Sequence, residues 1–170
     1  MKVLITVDDT HTSQSVLTVF RNLVRPPEEV ILLHVQQLEG KSLMIGMLGS
    51  SEMSTLRESL KGTEMKERLD RKAEALLSRC RNELTDSGLV KVKTVVREGI
   101  PAEEILHVAA EEGVGLIIMG CHGKKGLQRL VAGCVTKDVE RNSTVPVLVA
   151  KTDGCEKAYG MKEARTAYAQ

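Results

Sequence analysis

The segment Met119-Gly120-Cys121-His122-Gly123-Lys124-Lys125-Gly126 joins an apolar run to a helical pattern and holds three glycines and two lysines. Glycine admits positive φ and lets backbone N–H groups come close to a ligand. The N-terminus of a following helix adds about half a unit of positive charge, and Lys124, Lys125 and Arg129 lie nearby in sequence. Together these suit an anion, phosphate above all; the alternative is a plain tight turn. The loop is not a Walker A motif, because GxxxxGKS/T is absent. Nor is it a dinucleotide fingerprint, which follows the first strand; here the first strand runs into Asp8-Asp9-Thr10. A carboxylate at Asp8 accepts hydrogen bonds from sugar hydroxyls. An Asp pair after a strand also caps helices, and Asp8 on the ligand with Asp9 in solvent satisfies both uses.

The sulfur and imidazole groups invite other chemistry. Cys121 and His122 are adjacent, and with Cys134 they match no zinc spacing, so no metal site is expected. Cys134 near a helix N-terminus has the setting of a peroxide-sensitive thiol. The four cysteines, Cys80, Cys121, Cys134 and Cys155, form no CxxC pair in a chain too long for a small secreted scaffold. Reduced thiols are the expectation. His34 at a strand end, His107 on a helix surface and His11 in a turn are read as structural.

These groups must be positioned by strands alternating with helices. Val3–Val7, Val30–Val35 and Leu116–Met119 are continuous apolar runs, as expected of strands covered on both faces in a parallel sheet. Val92–Arg97 is more mixed, and Val145–Val149 contains Pro146; both suit edges. Helical faces are read at Val16, Leu17, Phe20, Leu23 and Val24, with Thr12 or Ser13 capping. Others are read at Met65, Leu69, Ala73, Leu76, Leu77, Cys80 and Leu84, at Ile105, Leu106 and Ala109 behind Pro101, and at Leu127, Leu130, Val131, Val135 and Val139. The order β-α-β-α-β-α-β-α-β predicts an α/β fold with a doubly wound five-stranded parallel sheet. With strand order 3-2-1-4-5, ligands bind at the switch between strands one and four, and Asp8 and Gly120 flank that crevice. Residues 38–63, with four glycines, five serines, Met44, Met47 and Met53, read as a mobile insertion between the second strand and the long helix, either a partly ordered crossover or a lid or partner surface. Residues 152–170 read as a polar tail.

Composition removes other classes. A net charge of +1 and an aromatic share of 2% argue against a nucleic-acid groove or stacking platform. No apolar run approaches the ~18 residues of a membrane span, and the opening turns acidic too soon for a signal peptide. A cytoplasmic protein is expected.

Gly120-x2-Gly123-x9-Gly133 followed by a small residue resembles the nucleotide motif G-x2-G-x9-G-S/T of the universal stress protein family. The resemblance extends to Leu4-Ile5-Thr6-Val7-Asp8, Leu32-Leu33-His34-Val35, Gly99-x-Pro101-Ala102 and Val145-Pro146-Val147-Leu148-Val149. It spans 1–151 apart from the insertion. It implies a flavodoxin-like fold, shared with adenine nucleotide alpha hydrolase-like proteins, that binds ATP (or AMP or ADP) with Mg2+ or Mn2+ through the phosphates. Asp8 matches the ribose-binding aspartate; Thr6, Val7, Val35 and Met119 match positions lining adenine and sugar. Gly120, His122, Gly123, Gly133, Val135 and Thr136 match the phosphate loop. Val145–Val149 matches the strand that pairs across the family's homodimer. Cys134 stands where the motif has Ser or Thr. A thiol is a weak donor, and one lost bond costs about 1–2 kcal/mol, roughly tenfold in affinity.

The scarcity of aromatics means that an adenine would lie between aliphatic side chains such as Val7 and Val35 and be read by backbone groups. The expected function is therefore a nucleotide-dependent stress or signalling homodimer with an unidentified protein partner. No catalytic constellation is visible, so slow ATP hydrolysis is the most that the site suggests. The alternatives are an interaction module without nucleotide binding and a redox switch at Cys134. The PP-loop ATP pyrophosphatases share the broad fold, but Asp8-Asp9-Thr10-His11 is not their SGGxDS-like turn.

Overall fold

A computed structural model of the chain describes residues 1–8, 12–36, 64–86, 88, 91–121 and 135–151. The expected insertion, the tail and the stretch from Leu127 to Val131 lie outside these residues. Among the described residues, five strands alternate with four helices: β1 (Lys2–Thr6), α1 (Thr12–Leu23), β2 (Glu29–Gln36), α2 (Glu64–Asp86), β3 (Val92–Glu98), α3 (Pro101–Glu112), β4 (Leu116–Cys121), α4 (Val135–Asn142) and β5 (Val147–Lys151). All strand pairs are parallel, in the order β3-β2-β1-β4-β5. The mixed run does form one edge, and the proline-bearing run the other. Pro146 precedes β5 and loses nothing to its missing N–H, while its carbonyl accepts the N–H of Ile117 at 3.0 Å.

The apolar runs make the sheet a septum between two cores. Side chains alternate across a strand, so Val3, Ile5, Val30 and Leu32 join α1 and α2 on one face, while Leu4, Ile31, Leu33 and Ile117 join α3 and α4 on the other. The helices follow from periodicity and capping. α2 is rich in Ala, Leu, Glu, Lys and Arg, strong helix formers, and buries Ala73, Leu76, Leu77, Cys80 and Leu84 along one stripe. α3 starts with Pro101 at its first turn and ends at Gly113, whose φ of 61° is left-handed. On α1, Val16, Leu17 and Phe20 are buried as expected, but Leu23 is 68% exposed because the helix ends there and the chain turns toward β2.

Charged side chains tie the helices to both ends of the sheet. At the carboxyl end, buried Gln36 donates to Asp70 Oδ1 at 3.0 Å and accepts from Lys66 Nζ at 3.1 Å. Lys66 also pairs with Asp70 and Glu98, which fastens the first turn of α2 across the ends of β2 and β3. Burial opposes the Lys66 ammonium, but hydrogen bonds and charges from Asp70 and Glu98 outweigh it and raise its pKa. At the amino end, the largely buried Glu29 pairs with Lys2 at 3.6 Å and Lys91 at 3.4 Å, and Glu112 pairs with Lys93 at 2.6 Å and Lys2 at 4.0 Å.

The hydrogen bond from Lys93 holds the Glu112 carboxyl below the usual carboxylate range, against a smaller opposing effect of desolvation. A depressed carboxyl contributes stability that is present above its unfolded pKa and lost as pH falls through its folded one. Urea unfolding stepped from pH 7 downward should therefore show stability falling below about pH 5. Glu112→Gln should be less stable at neutral pH and fall less steeply. An unchanged slope in that variant would remove Glu112 from the account.

Candidate functional site

The geometry of the site begins with where β1 stops. Its last residue, Thr6, pairs with Leu33 of β2, and on the other side the register with β4 ends at Ile5 and Ile118. Both neighbours run on: β2 through His34, Val35 and Gln36, and β4 through Met119, Gly120 and Cys121. The result is a notch in the middle of the sheet, at its carboxyl edge. Its mouth is roughly 10 Å wide, twice the spacing between strands. The strand order reverses at this place, the position where open α/β sheets bind ligands.

Backbone directions around the notch are set by the ladders. Within a strand, the N–H and C=O of one residue point to one side and those of the next residue to the other. Gln36 C=O accepts from Gly99 N–H, and Val30 N–H donates to Lys91 C=O, so the even residues of β2 face β3. Leu33 C=O accepts from Val7 N–H at 2.9 Å, so the odd ones face β1. Val35 therefore directs its N–H and C=O over the notch. On β4, Ile117 N–H donates to Pro146, so the odd residues face β5 and Gly120 faces the notch.

Asp8 sits at the floor, part-buried, where the chain leaves β1. Its N–H donates to Ser13 Oγ at 3.0 Å, and the Ser13 hydroxyl donates back to the Asp8 carbonyl at 2.5 Å, with Oδ1 of Asp8 at 3.4 Å. Ser13 is buried. Its hydroxyl clamps the Asp8 backbone to the first turn of α1 instead of only capping the helix. Beside it, His34 Nδ1 lies 2.9 Å from the carbonyl of Val7. Neither contact was read from the sequence. The available signals were a histidine breaking an apolar strand at its carboxyl end and a serine five residues past the aspartate.

The structure thus gathers Thr6, Asp8, Val35 and Gly120 around one notch. Met119, Val35 and Val135 pack against the core on the α3/α4 face, where Val139 of α4 is also buried. Thr136, in the first turn of α4, is buried. Val7 is different: its side chain is buried in the core on the α1/α2 face. Val7 and Val35 thus lie on opposite faces of the sheet and do not together sandwich a base. His122, Gly123, Gly133 and Cys134 lie outside the described residues. Among the described residues, no group of three or more His, Cys, Asp or Glu is placed to hold a metal ion, and no helix is long and apolar enough to cross a membrane.

Comparison with known proteins agrees with this topology. The family model described as the universal stress protein family matches residues 1–151. The chain belongs to the universal stress protein family. Universal stress protein MJ0577 of Methanocaldococcus jannaschii is 39% identical over 127 residues, 73% of this chain and 77% of that protein. A structure of MJ0577 superposes with a TM-score of 0.65 at 36% identity, covering 89% of this chain and 95% of that one. Two more distant universal stress proteins share the fold. One, in complex with cAMP, has a TM-score of 0.61 at 14% identity over 89% of this chain and 97% of its own. The other, from Arabidopsis thaliana with AMP bound, has a TM-score of 0.59 at 16% identity over 92% and 94%.

One expectation is overturned beside the notch. Cys121, buried at the end of β4, is disulfide-bonded, and its partner sulfur lies outside the described residues. Spacing alone does not reveal such a pair, because bridging depends on the fold bringing two Cα atoms within about 7 Å. Cys80 is free and buried, and burial raises its thiol pKa, which keeps it unreactive. In denaturant without reductant, two of the four cysteines of this universal stress protein should react with a thiol reagent, and all four after reduction. Four reactive thiols without reductant would contradict the bond at Cys121.

Proposed function

We propose that the chain is a nucleotide-binding universal stress protein that takes ATP, or AMP or ADP, in the notch between β2 and β4. The observation that carries this reading is the direction of the Val35 main chain. One residue offers a donor and an acceptor side by side, which match the ring nitrogen and amino group on one edge of adenine. Asp8, held by Ser13, stands where its carboxylate accepts ribose hydroxyls. Gly120 brings backbone without a side chain to the opposite wall, and the first turn of α4, Val135 and Thr136, adds N–H groups and the positive end of a helix for phosphate. His122, Gly123, Gly133 and Cys134 complete the phosphate loop in this reading, with Mg2+ or Mn2+ held through the phosphates. The nucleotides named with two distant relatives support the same class of ligand.

In this reading the protein works in the cytoplasm as a homodimer through the edge strand at Val145–Val149. Its nucleotide state alters the 38–63 segment and with it the choice of protein partner. Slow hydrolysis is the only chemistry assigned.

Calorimetric titration with ATP and Mg2+ tests the proposal. The wild type should bind, and Asp8→Ala should weaken binding at least about tenfold through loss of a charge-assisted hydrogen bond. No binding by the wild type up to millimolar ATP would end this reading and leave an interaction module.

A further inference from the structure

We infer that His34 is a positioning residue that ends the β1–β2 ladder and so releases the Val35 main chain to the notch. In a parallel pair, the rung after Val7 N–H to Leu33 C=O is Val35 N–H to Val7 C=O. That rung is not made: among the described residues, no hydrogen bond joins Val35 N–H to Val7. The Val7 carbonyl is taken instead by His34 Nδ1 at 2.9 Å. A carbonyl only accepts, so Nδ1 carries the proton in this contact.

The placement follows from the sheet. His34 shares its face of β2 with Val30 and Leu32, which belong to the α1/α2 core, the same face on which Val7 is buried. From there the ring reaches the Val7 carbonyl and occupies it. An unpaired carbonyl at this depth would be costly, so without the ring Val35 N–H is the donor in register to satisfy it. Closing that rung would extend β1 along β2, narrow the notch and turn the Val35 N–H away from any ligand. Ser13 then secures the next residue, Asp8, so the chain departs from the sheet at a defined point. Apolar residues at position 34 would pack equally well on that face but could not stop the ladder.

The effect on ligand binding rests on the nucleotide reading above; the effect on the ladder does not. Amide hydrogen exchange by NMR on the nucleotide-free protein separates them. In the wild type, the Val35 amide should exchange faster than those of Leu32 and Leu33. His34→Leu should slow it at least about tenfold, the scale of one hydrogen bond gained. His34→Asn, whose side-chain N–H replaces Nδ1–H, should leave it near the wild-type rate. With ATP and Mg2+ as the probe, His34→Leu should bind about tenfold more weakly, and His34→Asn within about twofold of wild type.

Unchanged Val35 exchange in His34→Leu overturns the inference, as does equal weakening in the Leu and Asn variants. Slowed exchange with no ATP binding by any protein upholds the role of His34 and removes the nucleotide reading. Should His34→Leu not fold, the wild-type ring decides: 15N shifts showing a protonated Nδ1 support the assignment, and a proton only on Nε2 overturns it.

Discussion

The rest of the molecule depends on a ladder that stops early. β1 lies in the centre of the sheet, paired on both sides and buried at Val3, Leu4 and Ile5 with no exposed surface. A strand so placed would gain by continuing, because each further rung satisfies buried backbone groups. It ends at Thr6 while its neighbours continue to Gln36 and Cys121. The groups that the missing rungs would have satisfied are taken over locally. His34 serves the Val7 carbonyl, and Ser13 serves both backbone groups of Asp8. A cleft is stable in the middle of a parallel sheet only with such substitutions, and this one is where the strand order reverses.

The described elements around that notch are packed on both faces and tied at both ends. Both faces carry close-packed aliphatic cores, and ion pairs brace the two ends of the sheet. The Lys66, Asp70, Gln36 and Glu98 cluster lies beside the notch and anchors α2 to β2 and β3. Its charged members are partly exposed, and surface ion pairs contribute little each. What the cluster supplies is position, since Gln36 follows Val35 directly. A groove of about 360 Å3 between the ends of α3 and α4, lined in part by Leu106, Val114, Asn142 and Val145, lies at the opposite, amino end of the strands. That groove is therefore at the other end of the sheet from the directed backbone groups.

Much of this was legible in the sequence. The continuous runs at Val3, Val30 and Leu116 predicted central strands, and the mixed run at Val92 and the proline at 146 predicted the edges. Each of those signals is local: burial on both faces, or a missing donor. The strand order put Asp8 and Gly120 at one crevice, and the structure places them there. What was not legible depends on contacts between segments distant in sequence. His34 looked like a strand-end histidine because its partner carbonyl, Val7, lies 27 residues away just past the end of β1. Ser13 looked like a cap because serines there usually are. Val7 was paired with Val35 through the resemblance to family positions, which does not say that their side chains enter opposite faces of the sheet. The disulfide at Cys121 escaped for the same reason, since no short spacing announces it.

Amide shift mapping with ATP and Mg2+ on the 15N-labelled protein tests the central claim, that the notch left by β1 is the nucleotide site, most directly. The account predicts the largest changes at Asp8, Val35, Gly120 and Thr136, with little at Asn142, Ser143 and Val145 at the far end of the sheet. Changes centred on that far groove, with Val35 and Gly120 unmoved at saturation, would contradict it.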